Sequence, residues 1–592
     1  MLKKNSFIEE IIQLIHQATL VSHEKISPLV EIPPKAEMGD YAFPCFELAK
    51  EMRKAPPQVA QEIVQKIGRS SRFASVAAAG PYVNFKVDPS RFYREVLSAI
   101  LERDTPYGSS QTGAGKTVVI DFSSPNMARP LNIAHLGTTA AGAALQRIYS
   151  FLGYRAVGIN YLGDWGTQFG KLIAAFQRWG DQKTLASHPK PVLYLVDLYV
   201  RFHKEVETDP SLEEEARATL LKCEQGDQQV TDLWRRFCAI SHAELDKIYQ
   251  RLGIEFDFVD SESQYNAVLD DTIENIRRRG LARESEGALI ADLEKFELPP
   301  ILLRRSDGAS LYSTRDIAAA FDRYERFHFD RMIYVVGSEQ RLHFQQLFAL
   351  LKEMGYPWAD RCTHLALGQV TLEGEKMSTR RGQVIFLDDV LDKAIDLARK
   401  IIEEKNPDLR NKEEVAKEVG IGAVLFNRFS QRQNKDIVFD WDRALSFEGE
   451  TGPYLQYTHA RACSILRKAG MKKKKIVGEV FKYFPDWIKK WSPTPPAIDW
   501  TLLGNPEEHD LIKLLDRWPS LLESATWQNE PYVVARHLLD ISAAFNKFYN
   551  LHRVIDSAAP SLQSARLAIV SATQHILETG LGLLGIAAPQ EM

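Results

Sequence analysis

The chain has 592 residues, 45% of them hydrophobic and 26% charged, with a formal net charge of -4. That length exceeds one hydrophobic core, so two to four domains are expected, and ordinary Gly and Pro contents exclude collagen-like and low-complexity classes. The balance of charge excludes a globally basic surface, so a nucleic acid would have to meet local basic patches. Cys45, Cys223, Cys238, Cys362 and Cys463 form no CxxC pair, as expected in a reducing, cytoplasmic compartment without structural zinc. No apolar run reaches the length of a membrane span, and the start "MLKKNSFIEEIIQLIHQ" reads as an amphipathic helix rather than a signal peptide. No membrane partner is expected.

In chain order, residues 1–105 read as a small α/β unit. Phe7, Ile8, Ile11, Ile12 and Ile15 recur at helical spacing, and Val83, Phe85 and Val87 alternate with Tyr82, Asn84 and Lys86 as in a strand. A linker rich in Gly, Ser and Thr follows, "RDTPYGSSQTGAGK". Next come "TVVIDF", about twenty helical residues from Ile133, and "RAVGINYL". This βαβ unit predicts a parallel sheet. From about 180 to 252 the chain is charged and helical, and strands return at "RMIYVVGS" and "RCTHLALGQVTL". Beyond about 405 nearly everything is helix-periodic. The fold class expected is multidomain α/β with a helical insertion and an all-α C-terminal bundle.

Two stretches suggest chemistry. "RPLNIAHLGTTAAG", Arg129 to Gly142, opens the helix after the first strand of the βαβ unit. A helix N-terminus offers free N–H groups and about half a positive charge, which suits a phosphate. Ala134, Gly137, Thr138 and Thr139 are small enough for close approach, and His135 can donate to a phosphate oxygen. Taken alone, that histidine fits a packing role equally well. The loop is neither a P-loop nor GxGxxG. Far downstream, "GEKMSTRRGQV" sets Lys376, Arg380 and Arg381 beside small hydroxyl residues, a grip for polyphosphate; as a charge run alone it reads more readily as a solvated turn.

Together these stretches resemble the two signatures of class I aminoacyl-tRNA synthetases, a His-x-Gly-His loop and a KMSKS loop. "SSPNMARP", "YLGDWGTQFGKLI", "SDGASLYSTRDIAAA", "YVVGSEQRLHFQQLF" and "GPYLQYTHARACSILRK" narrow the resemblance to the arginyl-tRNA synthetase family, along essentially the whole chain. "MGDYAFPCFELAK" and "GPYVNF" resemble that family's additional first domain. The resemblance implies a tRNA-binding domain over 1–105, a Rossmann-type catalytic domain over 106–404 with its insertion at about 180–252, and a helical anticodon-binding domain over 405–592. It implies ATP with Mg2+ on its phosphates, L-arginine and tRNA(Arg) as partners, no metal held by protein ligands, and a monomer.

Residue by residue, the resemblance places Arg129, Asn132, His135 and Lys376 in catalysis. Ser124, Asn132, His135, Gly137, Val370, Lys376, Met377 and Ser378 would bind ATP. Arginine would be read by Asn126, Glu262, Tyr312, Asp316 and Gln340. A guanidinium is planar, always charged and offers five donors, so it demands fixed carboxylates and neutral acceptors; Tyr312 and Asp316, four apart, share a face if helical. Each alone also has a plain structural reading, Asn126 as a turn former among them. Asp164, Trp165 and Gln168 lie at the end of the second strand, where open α/β sheets bind ligands, or form a tight turn packed by Trp165. Tyr454, Gln456, Tyr457, His459, Arg461 and the terminal Met592 would contact anticodon bases, although Tyr454 and Tyr457 read equally as core aromatics. Lys472–Lys475 reads as a solvated turn or a phosphate contact. Asp40, Tyr41 and Phe43 resemble a surface for the tRNA elbow, with a structural role for Phe43 at least as well supported.

The first histidine of the family's loop is Asn132 here, its glycine is Ala134, and Thr379 replaces the second lysine of KMSKS. Arg129 offers a fixed positive charge just before the loop. A catalytically silent synthetase-derived tRNA-binding protein is the alternative, resting on Asn132 and Ala134 alone. A nucleotidyltransferase would have no need of the long helical domain, and a dehydrogenase fails for want of GxGxxG.

Overall fold

The computed structural model describes residues 6–35, 38–68, 70, 72–102, 105–306, 308, 311–372, 385–471, 473–475, 489–491 and 498–592. In the N-terminal unit the helix Ser6–Thr19 buries Phe7, Ile8, Ile11, Ile12 and Ile15, its expected apolar stripe. Phe7 meets Phe73 of an antiparallel sheet formed by β1 (Tyr41–Pro44), β2 (Phe73–Ala79) and β3 (Tyr82–Val87), with β3 in the middle. Val83, Phe85 and Val87 turn inward as the period of two demands.

The stretch likened to a tRNA-elbow surface faces inward. Tyr41 and Phe43 are core residues. Asp40 accepts Val87 N–H at 2.9 Å and pairs with Lys513 Nζ of the C-terminal helices at 2.5 Å. Burial would raise the Asp40 pKa; His509 and Lys513 outweigh it and hold the carboxyl well below its usual range. This aspartate joins the first unit to the last.

The central sheet contains β4 (Thr117–Asp121), β5 (Arg155–Leu162) and β6 (Phe258–Ser261). A separate antiparallel sheet follows, β7 (Ala282–Ser285), β8 (Ala288–Ala291) and β9 (Ile301–Arg304). Its strands are four residues long, too short to show an alternation in the sequence. Then β10 (Arg331–Gly337) and β11 (Cys362–Leu367) complete the central sheet in the order β11-β10-β4-β5-β6, every pair parallel. Val118, Val119 and Ile120 of β4 are fully buried, because helices and loops cover both faces of the middle strand. The strand order reverses at β4, so a crevice opens beyond its C-terminal end.

The helix Ile133–Phe151 crosses from β4 to β5, and five helices between Thr167 and Leu252 separate β5 from β6. Strand β12 (Val370–Leu372) leaves the sheet and pairs in parallel with β13 (Ile437–Phe439), stitching the α/β region to the helices that follow. Those helices surround Pro560–Leu583, buried on nearly every side. Tyr149, near the end of the crossover helix, sets its hydroxyl 2.9 Å from Thr526 O and 2.7 Å from Asn529 Oδ1 of that bundle. Lys473–Lys475, within the lysine run, pairs with Lys489–Trp491 as a short antiparallel ribbon; Lys472 lies outside the described residues. Among the described residues no helix is long and apolar enough to cross a membrane.

Candidate active site

The crevice at the strand ends is a cleft of about 1510 Å³. Its floor begins in the loop after β4, where Ser123, Ser124 and Ala128 adopt left-handed φ values of 72°, 47° and 59°. Such backbone costs about 1–3 kcal/mol per residue and persists only where neighbours over-determine it. Here Ser124 Oγ donates to Asp121 Oδ1 at 2.6 Å, Ser124 N–H donates to Asn160 Oδ1 at 3.1 Å, and Ala128 N–H donates to Ser241 Oγ at 2.8 Å. Ser124, expected at ATP, lines the cleft while its hydroxyl also braces its own loop.

Asn132 is the N-cap of the crossover helix: its Oδ1 accepts Ala134 N–H at 3.0 Å, while His135 Nδ1 lies 3.2 Å from Asn132 N. The two residues lock one another and leave the helix start facing the cleft, which both line with Thr138. Burial pushes the His135 pKa down to about 4, with the Arg129 charge adding to the shift. The imidazole is neutral at pH 7, and Arg129 brings a positive charge to this side of the described cleft. Arg129 Nη2 donates to Tyr199 Oη at 2.9 Å and its guanidinium stacks on that ring at 5.0 Å. Tyr199 comes from the helix Pro191–Val206 of the insertion. Val370 lines the same side, with Gly137 buried behind it. Lys376, Met377 and Ser378 lie outside the described residues.

At the other end, Asn126 is exposed on the loop tip and bridges to Gly163 at the end of β5. A Cβ on Gly163 would come within 2.4 Å of Asn126 Oδ1 and would displace that side chain from its present position. Gln168 Nε2 donates to Gly163 O at 3.2 Å, and Trp165 packs edge-on against Trp234. Asp164 turns away from the cleft: Oδ1 accepts Ser263 N–H at 2.8 Å and Oδ2 accepts Ser263 Oγ–H at 2.5 Å. It thereby clamps the turn that carries Glu262.

Glu262, Tyr312, Asp316 and Gln340 all line the cleft. Tyr312 and Asp316 occupy the first turns of the helix Tyr312–Phe327, facing the same way as their spacing requires. Burial, reinforced by the Asp316 charge, raises the Glu262 pKa to about 8. Two acidic side chains converging on one cleft can receive a cation. Asp316 Oδ2 accepts from His343 Nε2 at 2.6 Å, and the His343 ring lies 4.9 Å from that of Tyr312. Beneath them the buried pair Asp121–Arg323 closes at 2.9 Å, with the Arg323 guanidinium over the Tyr161 and Tyr334 rings.

A second cleft, about 910 Å³, lies in the helical bundle and is lined by Tyr457, Arg461, Tyr549 and Met592. Arg461 stacks on Tyr457 at 4.8 Å and on Tyr549 at 5.6 Å, and donates to Asn546 Oδ1 at 2.7 Å. Tyr454 is half-buried, its hydroxyl accepting from Asn546 Nδ2 at 3.0 Å. Gln456 corrects the sequence reading: it is fully buried, its amide donating to Glu418 O and Ala587 O at 3.0 and 2.9 Å, and it presents no edge to a base. His459 is likewise buried, against Pro589 O and Gln574. Both tie down the last residues of the chain, where Met592 O accepts from Asn406 Nδ2 at 3.1 Å.

His343, Tyr199 and the inward role of Asp164 escaped the sequence reading. His343 stands three residues after Gln340, and nothing in its local pattern separates it from a helix-surface histidine; Tyr199 is distant in sequence from everything it touches.

Three family descriptions match in order: the arginyl tRNA synthetase N terminal domain over residues 5–87, the catalytic domain of class I tRNA synthetases (R) over 96–441, and the DALR anticodon binding domain over 455–592. The arginine–tRNA ligase of Clostridium botulinum (strain 657) is 45% identical over 582 residues, covering 98% of this chain and 99% of that protein. That of Halothermothrix orenii is 45% identical over 587 residues, covering 99% and 100%. The solved structure of Thermus thermophilus arginyl-tRNA synthetase superposes with a TM-score of 0.78 at 30% identity, covering 99% of this chain and 100% of that one. With a parallel-sheet cleft that pairs a capped helix start with two cation-seeking carboxylates, and with relatives matching from end to end, the chain belongs to the class I arginyl-tRNA synthetases.

Proposed function

We propose the following division of labour for this arginine–tRNA ligase. The observation that carries it is the convergence of Glu262, Tyr312 and Asp316 in the cleft that also holds the Asn132–His135 helix start. Glu262 and Asp316 receive the guanidinium of L-arginine with the Tyr312 hydroxyl, while Asn126 and Gln340 hold the α-amino and carboxylate end. The helix start and His135 approach the nucleotide, and Arg129 supplies charge to its phosphates. The substrate carboxylate then attacks the α-phosphorus of ATP; the bond to the leaving oxygen breaks, giving arginyl-adenylate and pyrophosphate. Next, the terminal ribose hydroxyl of tRNA(Arg) attacks the arginyl carbonyl, and AMP leaves. The protein contributes orientation and charge rather than covalent chemistry. Lys376, by its place in the KMSKS-like stretch, acts on the leaving pyrophosphate.

Magnesium is read as arriving on the nucleotide; among the described residues no cluster of three His, Cys, Asp or Glu side chains could hold a metal. Residues 1–105 and 405–592 are assigned to tRNA and 106–404 to catalysis. In the second cleft, Tyr457, Arg461 and Met592 are the anticodon contacts, the aromatic faces stacking on bases and Arg461 reaching their edges. The working form is a cytoplasmic monomer.

The test is ATP–pyrophosphate exchange with each of the twenty amino acids, with and without tRNA. Exchange with arginine alone is expected. Exchange with another amino acid would overturn the assignment, and tRNA binding with no exchange at all would favour the silent alternative.

A further inference from the structure

We propose that His343 is a positioning residue for arginine selection. It touches both side chains that the preceding reading assigns to the guanidinium, and on that reading the inference rests. Its Nε2 donates to Asp316 Oδ2 at 2.6 Å, and its ring lies 4.9 Å from that of Tyr312 with the planes at 57°. His343 is 7% exposed and sits on the helix Arg341–Glu353, so it approaches Tyr312 and Asp316 from a different element.

The consequence is geometric. A carboxylate on a rotatable side chain has two equivalent oxygens and can meet a ligand through either. Fixing Oδ2 by a donor from behind leaves Oδ1 and the free lone pairs of Oδ2 in one orientation, and the same imidazole stops the exposed Tyr312 ring from swinging away. A planar fork of N–H donors rewards such a fixed acceptor pair far more than a compact ammonium does. His343 therefore acts on the arginine step by holding its receptors, without contacting substrate atoms. Among the described residues, its hydrogen bond and ring contacts go to Asp316, Tyr312 and Phe344, and to none of Asn132, His135 and Arg129.

Two variants of similar volume isolate the donor: His343→Gln keeps an N–H, and His343→Leu removes it. In the full-length protein with tRNA, pyrophosphate exchange yields KM values for arginine and ATP separately. His343→Leu is expected to raise the arginine KM at least tenfold and leave the ATP KM within twofold, with His343→Gln within about threefold of the parent on both. The ratio of kcat/KM for arginine over lysine should fall in the Leu variant and recover in the Gln variant. Equal behaviour of the two variants, or parallel loss in the arginine and ATP constants, would overturn the proposal. An Asp316→Asn arm separates it from the underlying reading: if that change spares the arginine KM, the assignment of Asp316 itself fails. Circular dichroism and a thermal melt on each variant establish folding; should His343→Leu not fold, His343→Asn against His343→Val makes the same comparison.

Discussion

The two clefts of this molecule are built on opposite principles. In the cleft at the strand ends, three groups are fixed from behind: Asp316 by His343, the Glu262 turn by Asp164 through Ser263, Arg129 by Tyr199. In the bundle cleft, Arg461 lies between the Tyr457 and Tyr549 rings, and those rings are more than a third exposed. A free amino acid must be told from similar cations, and leaving a buried charge without its partner costs about 3–5 kcal/mol. A nucleobase presents a broad face that any aromatic can stack on, at about 1–3 kcal/mol each. On the proposed assignment, rigid charge would give selectivity in the first cleft and exposed π-surface affinity in the second.

That contrast can be broken in four places. The largest effect is expected for Asp316→Ala, which leaves the bound guanidinium half-paired: kcat/KM for arginine should drop by a factor on the order of 10³, with the ATP KM little changed, read by pyrophosphate exchange. A loss below tenfold would show that Asp316 is not a receptor. Arg129→Ala should lower the rate of adenylate formation by roughly 10²-fold, the scale of removing one charged stabiliser, with arginine binding by calorimetry intact. Unchanged exchange rejects the role given to Arg129.

Arg461→Ala belongs to the other cleft and should raise the tRNA KM by about tenfold, in the range of one stacking contact, while both small-substrate constants stay put. A shift in the arginine KM instead would mean that the clefts are not separable. The fourth effect concerns pH. The Glu262 carboxyl, raised to about 8 in the empty site, must ionise to meet a guanidinium, so arginine binding below that pH releases a proton. Affinity should strengthen by up to about tenfold per unit as pH rises towards 8 and then level off. Calorimetry in buffers of different ionisation enthalpy measures the proton directly, and Glu262→Gln should abolish it. No proton release in the parent protein would refute the coupling.

Four of the five central strands, each five residues or longer and mainly apolar, were legible; Arg155–Leu162 runs from end to end as the sequence suggested. The four-residue strands β6 to β9 were not, since a period of two needs more residues to register. Within the candidate site, Tyr312 and Asp316 were legible through the resemblance of their stretch to the family's, and their spacing then placed them on one helix face. Gln456 was misread because a buried glutamine and a base-reading glutamine look alike in a string. What separates them is Ala587 and Glu418, which the fold brings to its amide.

The kind of chemistry followed from motifs that resemble the arginyl-tRNA synthetases; what the amino-acid sequence alone determined was a helix start after an apolar strand, a tyrosine and an acid spaced to share a helix face, and a long helical tail. Those are local properties, carried by dihedral preference and by periodicities of two and 3.6. The tertiary structure alone decided which of the polar residues are receptors and which are props. Asp164 turns away from the cleft, Asp40 joins the two ends of the chain, and His343 comes up behind Asp316 from another helix. Hydrogen bonds of this sort act over about 3 Å in space and carry no signature along the chain.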